Sequence, residues 1–140
     1  MESDLLHWLR ERLPDDPRAP LGLTDDAALL ELPPGGRLVA TTDLLTEGVD
    51  FRLAECDPRR VGRKALAVNL SDLDAMAARP VAALVSLALP REWGLGLAKS
   101  LYEGLLPLAK EFDIAIAGGD TNAWDEGLVL SVTALGAVGP

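Results

Sequence analysis

Apolar residues along this chain follow two rhythms, a helical one and a strand-like one, punctuated by Pro and Gly. After Ser3, which can cap a helix, Leu5, Leu6, Leu9 and Leu13 recur at helical spacing until Pro14 and Pro17 stop them. Residues 15–20 read as loop. Ala27–Leu32 reads as a short strand, Pro33-Pro34-Gly35-Gly36 as a turn, and Arg37–Thr42 as a second strand running into Asp43, which predicts a hairpin. Thr46–Cys56 reads as an irregular, mobile loop. Asp57-Pro58 is a strong helix start, and Val61, Ala65, Leu66, Leu70, Leu73 and Ala77 line one face of a helix reaching about Ala78, ended by Pro80. The nearly unbroken apolar run Val81–Leu89 predicts a central strand closed by Pro90. Leu97, Leu101, Leu105 and Leu108 predict a second long helix over about Glu92–Phe112, kinked or broken at Pro107. Ile114–Ala117 predicts a short strand ending in a Gly118-Gly119-Asp120-Thr121 turn, and Leu128–Val138 a last strand. The order α-β-β-α-β-α-β-β makes the expected fold α+β (mixed α/β), one layer of helices on one of sheet.

Composition narrows the function classes. The 140 residues suffice for one domain with a core, and 49% hydrophobic with 25% charged content is ordinary for a globular chain. Apolar runs break before the ~20 residues a membrane span needs. Glu2 and Asp4 carry the wrong sign for a signal peptide, and the single Cys56 excludes an internal disulfide, so a cytoplasmic protein is expected. A net charge of −9 argues against a broad nucleic-acid surface. It also constrains phosphate substrates, because an Asp-rich site accepts a nucleotide only with divalent cations between them.

The candidate chemistry centres on Lys64-Ala-Leu-Ala-Val-Asn-Leu-Ser-Asp-Leu-Asp-Ala-Met76. Asn69 and Asp72 lie three residues apart and share a helix face. Among Leu70, Leu73 and Met76, Asp72 is expensive to bury without a cation or donors. Three other apolar runs adjoin Asp25-Asp26, Asp43 and Asp120, and these carboxylates are expected to converge on magnesium, a hard cation that takes oxygen ligands. No Walker-type phosphate loop or protein-kinase motif is present, and Ser71 has no His near it in sequence, while His7, the only His, carries nothing that nominates a triad. Cys56 lacks neighbouring Cys or His for zinc. What remains is an oxygen-only divalent site, suited to phosphoryl transfer.

Five blocks then carry a resemblance: Asp25-Asp26-Ala27-Ala28; Thr41-Thr42-Asp43-Leu44 with Glu47-Gly48-Val49-Asp50-Phe51; Gly62 to Asp72; Ala75-Met76 with Ala78-Arg79-Pro80; and Gly118-Gly119-Asp120-Thr121. From about Gly22 onward the chain resembles the N-terminal half of the thiamine-monophosphate kinase family, in the aminoimidazole ribonucleotide synthetase superfamily. The resemblance implies that family's N-terminal fold, one four-stranded-type sheet covered by two long helices. It implies transfer of the γ-phosphoryl of ATP to thiamine phosphate, giving thiamine diphosphate, with several Mg²⁺ ions and positioning in place of a catalytic acid or base. By matching positions, Asp26, Thr41, Thr42, Asp43, Asp72 and Asp120 would be metal ligands. Gly118, Gly119, Asp120, Thr121 and Tyr102 would contact nucleotide. Where the family commonly has a substrate-touching His, this chain has Asp50, and the segment after Thr121, which often carries an ATP-contacting Arg, reads Asn122-Ala123-Trp124-Asp125 without one. Ala77 replaces a usual Gly. The resemblance further implies a homodimer through the N-terminal sheet and a second α/β domain that residues 1–140 lack, so this single ATP- and Mg-binding domain is expected to be inactive alone. The chain halts directly after an apolar strand, as at a domain boundary. The alternatives are the ATP-binding half of another superfamily member, or a non-catalytic dimerisation module.

Overall fold

The computed structural model describes residues 2–139; Met1 and Pro140, the outermost residues of the expected domain, lie outside the described residues. Seven elements follow one another: α1 (Glu2–Arg12), β1 (Arg37–Thr46), α2 (Pro58–Ala75), β2 (Arg79–Pro90), α3 (Gly94–Glu111), β3 (Ala115–Trp124) and β4 (Val129–Val138). The strands form one sheet in the order β1-β4-β2-β3, with β2 and β3 parallel and the other pairs antiparallel. The mixed α/β expectation, one four-stranded sheet carrying two long helices, is what the chain forms.

The helices begin and end for local reasons. Asp57 is extended (φ −71°, ψ 127°) and accepts the Arg59 backbone N–H at 3.0 Å, so α2 starts with a filled cap and Pro58 at its first position. At the other end Ala77 takes φ +54°, Ala77 N–H donates to Asp74 O, and Ala78 N–H reaches back to Leu73 O. That paired closure turns the chain directly into β2. Asp113 (φ +52°) ends α3 the same way, with Ile114 N–H on Ala109 O. The expected break at Pro107 does not occur: α3 runs through it. Pro107 removes one ladder donor, while Leu101, Leu105, Leu108 and Ala109 keep the flanking turns seated in the core.

Two glycines set how closely α2 and α3 approach. A methyl at Gly62 would collide with the Leu101 carbonyl, and one at Gly104 with the Arg59 carbonyl, so each helix backbone lies on the other's glycine. Beneath them Ala83, Val85, Leu87 and Leu89 of β2 and Leu130, Val132 and Ala134 of β4 form the helix-facing side of the core.

Two expectations fail. Ala27–Leu32 forms no strand, and the hairpin with Arg37–Thr42 is not made. Leu29 and Leu32 are exposed, while Ala28 and Leu30 pack on a small cluster of Ala19, Val81, Ala82, Ala115, Ala117 and Ala137 on the sheet's other face. Pro33 and Pro34 follow at once and supply no backbone donors. β1 pairs instead with β4 over ten residues, from Arg37↔Val138 to Thr46↔Val129, which buries its alternate side chains against a long apolar strand. Second, Gly118-Gly119-Asp120-Thr121 is no turn. It lies inside β3 beside β2, and Gly119 (φ +153°) is required because a side chain there would strike the Val85 carbonyl.

Candidate functional site

β1 and α2 together place the one close pair of carboxylates among the candidates. Residues 39, 41, 43 and 45 of β1 alternate toward the helices, so Thr41 and Asp43 rise beneath α2, half-buried. Thr41 Oγ1 donates to Asp72 Oδ2 at 3.2 Å. Asp72 is also the charged neighbour that acts on Asp43. Partial burial pushes the Asp43 carboxyl above its ordinary value, and the hydrogen bond and the negative charge of Asp72 push it further. No Lys or Arg salt-bridges either carboxylate within the described residues.

Asp72 itself is exposed, contrary to its expected burial: Leu70 and Leu73 turn into the core, Met76 is 62% exposed, and Asp72 faces the rim over β1. The polar residue that α2 buries is Asn69. It is 0% exposed; Nδ2 donates to Ala65 O at 2.9 Å and Oδ1 has no partner. The signal was in the sequence, since Asn69 stands four residues from both Ala65 and Leu73 on the face that packs.

The other candidates are dispersed. Thr42 points to the opposite sheet face, donates to Val132 O at 3.3 Å and accepts from Thr133 Oγ1 at 3.0 Å. Asp26 is exposed in the 21–27 turn, its N–H on Asp25 Oδ1. Asp120 is exposed on β3, in register with Ser86, at the far edge of the sheet from β1. Among the described residues no three Asp, Glu, His or Cys side chains gather into a metal cage. Within this chain the expected convergence of four acidic positions therefore reduces to Asp43 and Asp72. Gly118 and Thr121 are half-buried in β3, and Tyr102 is 4% exposed in the core, where burial pushes its hydroxyl pKa up. Asp50 spends Oδ2 on the Thr46 N–H at 2.8 Å, and its carbonyl takes the Lys64 ammonium at 3.3 Å.

Glu47, a member of the 47–51 block with no expected chemical role, organises the 46–56 loop. Its carboxylate accepts Leu128 N–H at 2.9 Å and Leu53 N–H at 3.4 Å, while its own N–H donates to Leu128 O at 2.9 Å. The loop above the acidic pair is thereby tied to the start of β4. Two carboxylates, a hydroxyl and no neutralising side chain fit a hard divalent cation.

A four-stranded sheet under two helices, with this acidic pair at its first strand, defines a class. The model for the AIR synthase related protein, N-terminal domain, matches residues 24–138, and the chain belongs to that family. Within it, the chain is similar to thiamine-monophosphate kinases. It is 44% identical to the one from Rhodopirellula baltica over 97% of its own length, and 39% identical to the one from Bacillus subtilis over 98%. The thiamine-monophosphate kinase structure from Stenotrophomonas maltophilia superposes with a TM-score of 0.84 at 43% identity, over 96% of this chain and 42% of that one. AaThiL complexed with AMPPCP and TMP superposes at 0.70 with 30% identity, over 96% of this chain and 41% of that one. The chain spans 45% and 42% of the two enzymes named first, less than half of their length.

Proposed function

We propose that this chain is the N-terminal, cation- and nucleotide-binding part of a kinase that moves the γ-phosphoryl of ATP to thiamine phosphate. The observation that carries the reading is the unneutralised Asp43–Asp72 pair with Thr41, at positions that match the family's acidic motifs. Its support outside the site is similarity to thiamine-monophosphate kinases along nearly the whole chain, and to AaThiL, which binds AMPPCP and TMP.

In this reading Asp43, Asp72 and Thr41 hold Mg²⁺, which supplies neutralisation of phosphate charge in the phosphoryl transfer. Asp26 and Asp120, which lie apart from this pair within one chain, would serve as further cation ligands where nucleotide is bound, and Gly118 to Thr121 would border it. Thr42, turned to the opposite face and bonded within the sheet, holds β1 to β4. Asp50 shapes the loop next to the substrate through its bond to Thr46. A second copy pairs through the N-terminal sheet, and a second domain completes the nucleotide site. The surroundings are the cytoplasm; no helix among the described residues is long and apolar enough to cross a membrane.

Titration calorimetry of the chain with ATP tests the reading: binding is expected with Mg²⁺ and absent with EDTA. Equal binding in both overturns it. An ADP-release assay with thiamine phosphate and Mg²⁺ is expected to show little or no turnover by the 140 residues alone. Robust turnover overturns the view that the second half is needed.

A further inference from the structure

Asn69 is the one buried polar side chain with an unpartnered oxygen among the described residues. Its Nδ2 bond to Ala65 O fixes the amide, and exchanging the two ends of the amide would set oxygen against oxygen, so Oδ1 is the atom left over. A buried acceptor without a donor is costly, and native interiors rarely leave one.

The run of α2 sets the level of Asn69 against β1. Leu73 lies over Gly136, whose cross-strand partner is Val39. One residue earlier Asp72 meets Thr41, and farther toward the N-terminus Lys64 reaches Asp50. α2 thus descends antiparallel to β1. One turn back from Asp72, a rise of ~4.5 Å, brings Asn69 to the level of Asp43, two residues above Thr41. By this register Asn69, on the same helix face as Asp72, stands one turn from it and level with Asp43.

We propose that Asn69 is a positioning residue for the cation site, its Oδ1 accepting a hydrogen bond from water carried by a divalent cation held at Asp43 and Asp72. The assignment rests on the cation reading given above. A neutral acceptor there orients bound water and adds no further charge to an acidic pair. Outer partners of this kind govern metal affinity although they touch no metal.

Asn69→Leu tests it in the full chain. Leu has similar volume and leaves no orphan, since Ala65 O keeps its helical donor. In EDTA the variant is expected to melt at or above the wild-type temperature, while its affinity for Mn²⁺, read by calorimetry, falls about ten-fold or more. Lower stability with unchanged Mn²⁺ affinity overturns the proposal and makes Asn69 purely structural. Wild-type chain that binds no Mn²⁺ overturns the cation reading along with it. Should Asn69→Leu fail to fold, the Asn69 side-chain amide of wild-type protein is followed by ¹⁵N NMR. Its signals are expected to shift on Mg²⁺ addition and to stay still in Asp72→Asn; no shift at Mg²⁺ saturation overturns the assignment.

Discussion

Asp16 and Asp43 are both carboxylates beside a second charged group, and the fold treats them in opposite ways. Asp16 is served by Arg18 three times, through its backbone N–H at 2.9 Å, Nε at 3.0 Å and Nη2 at 2.8 Å. Arg18 goes on to Pro80 O and Asp113, joining the 13–32 segment to the start of β2 and the end of α3. The bonds from Arg18 hold the Asp16 carboxyl below its usual value, against the opposing pull of burial. Asp43 has a second acid in place of an arginine, and its carboxyl is pushed up. Among the described residues an acid is neutralised where it ties segments together, and a pair is left bare where the strand meets the helix. A bare pair is a cost to the empty protein that a bound cation removes.

Removing one member of the bare pair has the largest expected effect. Asp72→Asn is predicted to lower Mg²⁺-dependent ATP binding by about 100-fold or more while the melting temperature in EDTA holds or rises, since Asp72 is exposed and repels Asp43. Asp43 keeps part of its upward shift, because burial is the larger cause. ATP binding that persists with unchanged Mg²⁺ dependence would break the contrast between the two sites.

At the neutralised site the sign reverses. Arg18→Met strips the charge-assisted bonds from a carboxylate only 19% exposed, and is predicted to cost about 2 kcal/mol by urea unfolding, with no change in Mg²⁺ affinity. A loss of Mg²⁺ binding in this variant would show that the two sites are one.

The pH profile separates the two without mutation. Asp16 titrates lower in the folded chain than its usual 3.8, so its contribution is present above that value and is lost as pH falls through the folded one. Asp43 titrates higher, so the folded chain holds the proton more tightly; stability declines as pH climbs from 3.8 through the folded value and stays reduced above it. Melting curves in EDTA should therefore show Asp43→Asn gaining on wild type as pH rises through that window. Saturating Mg²⁺ should shrink the gap by restoring wild type alone. A gap that widens toward low pH would reverse the assignment.

The architecture was legible where periodicity spoke for a whole element, as in α2, α3, β2 and β4. It failed at 27–32, where six residues look like a strand alone and only the presence of β4 decides the partner of β1. It failed again at 118–121, because two glycines read as a turn when their use is close approach to Val85. The resemblance located the acidic positions, yet could not say which share a space. Sheet order does that, setting Asp43 and Asp120 on opposite edges. The exchange of roles between Asn69 and Asp72 is a matter of one helical step: a stripe of apolar residues in sequence does not tell whether its polar members lie under the helix or at its rim.

The smallest effect concerns the two helix ends, which repeat the contrast in miniature. Ala77 and Asp113 both occupy the left-handed closing position, at φ +54° and +52°. A side chain there costs about 1 kcal/mol relative to glycine. Ala77, exposed, has nothing to set against that cost, whereas Asp113 has Arg18 at 3.1 Å. Ala77→Gly is therefore predicted to stabilise the chain by about 1 kcal/mol, and Asp113→Gly by distinctly less, since it gives up an ion pair with a partly buried arginine as it relieves the backbone. Urea unfolding of the two variants in parallel measures the difference directly. Equal gains would mean that Arg18 is satisfied by Asp16 alone, and that its reach across to α3 contributes nothing to holding the 13–32 segment in place.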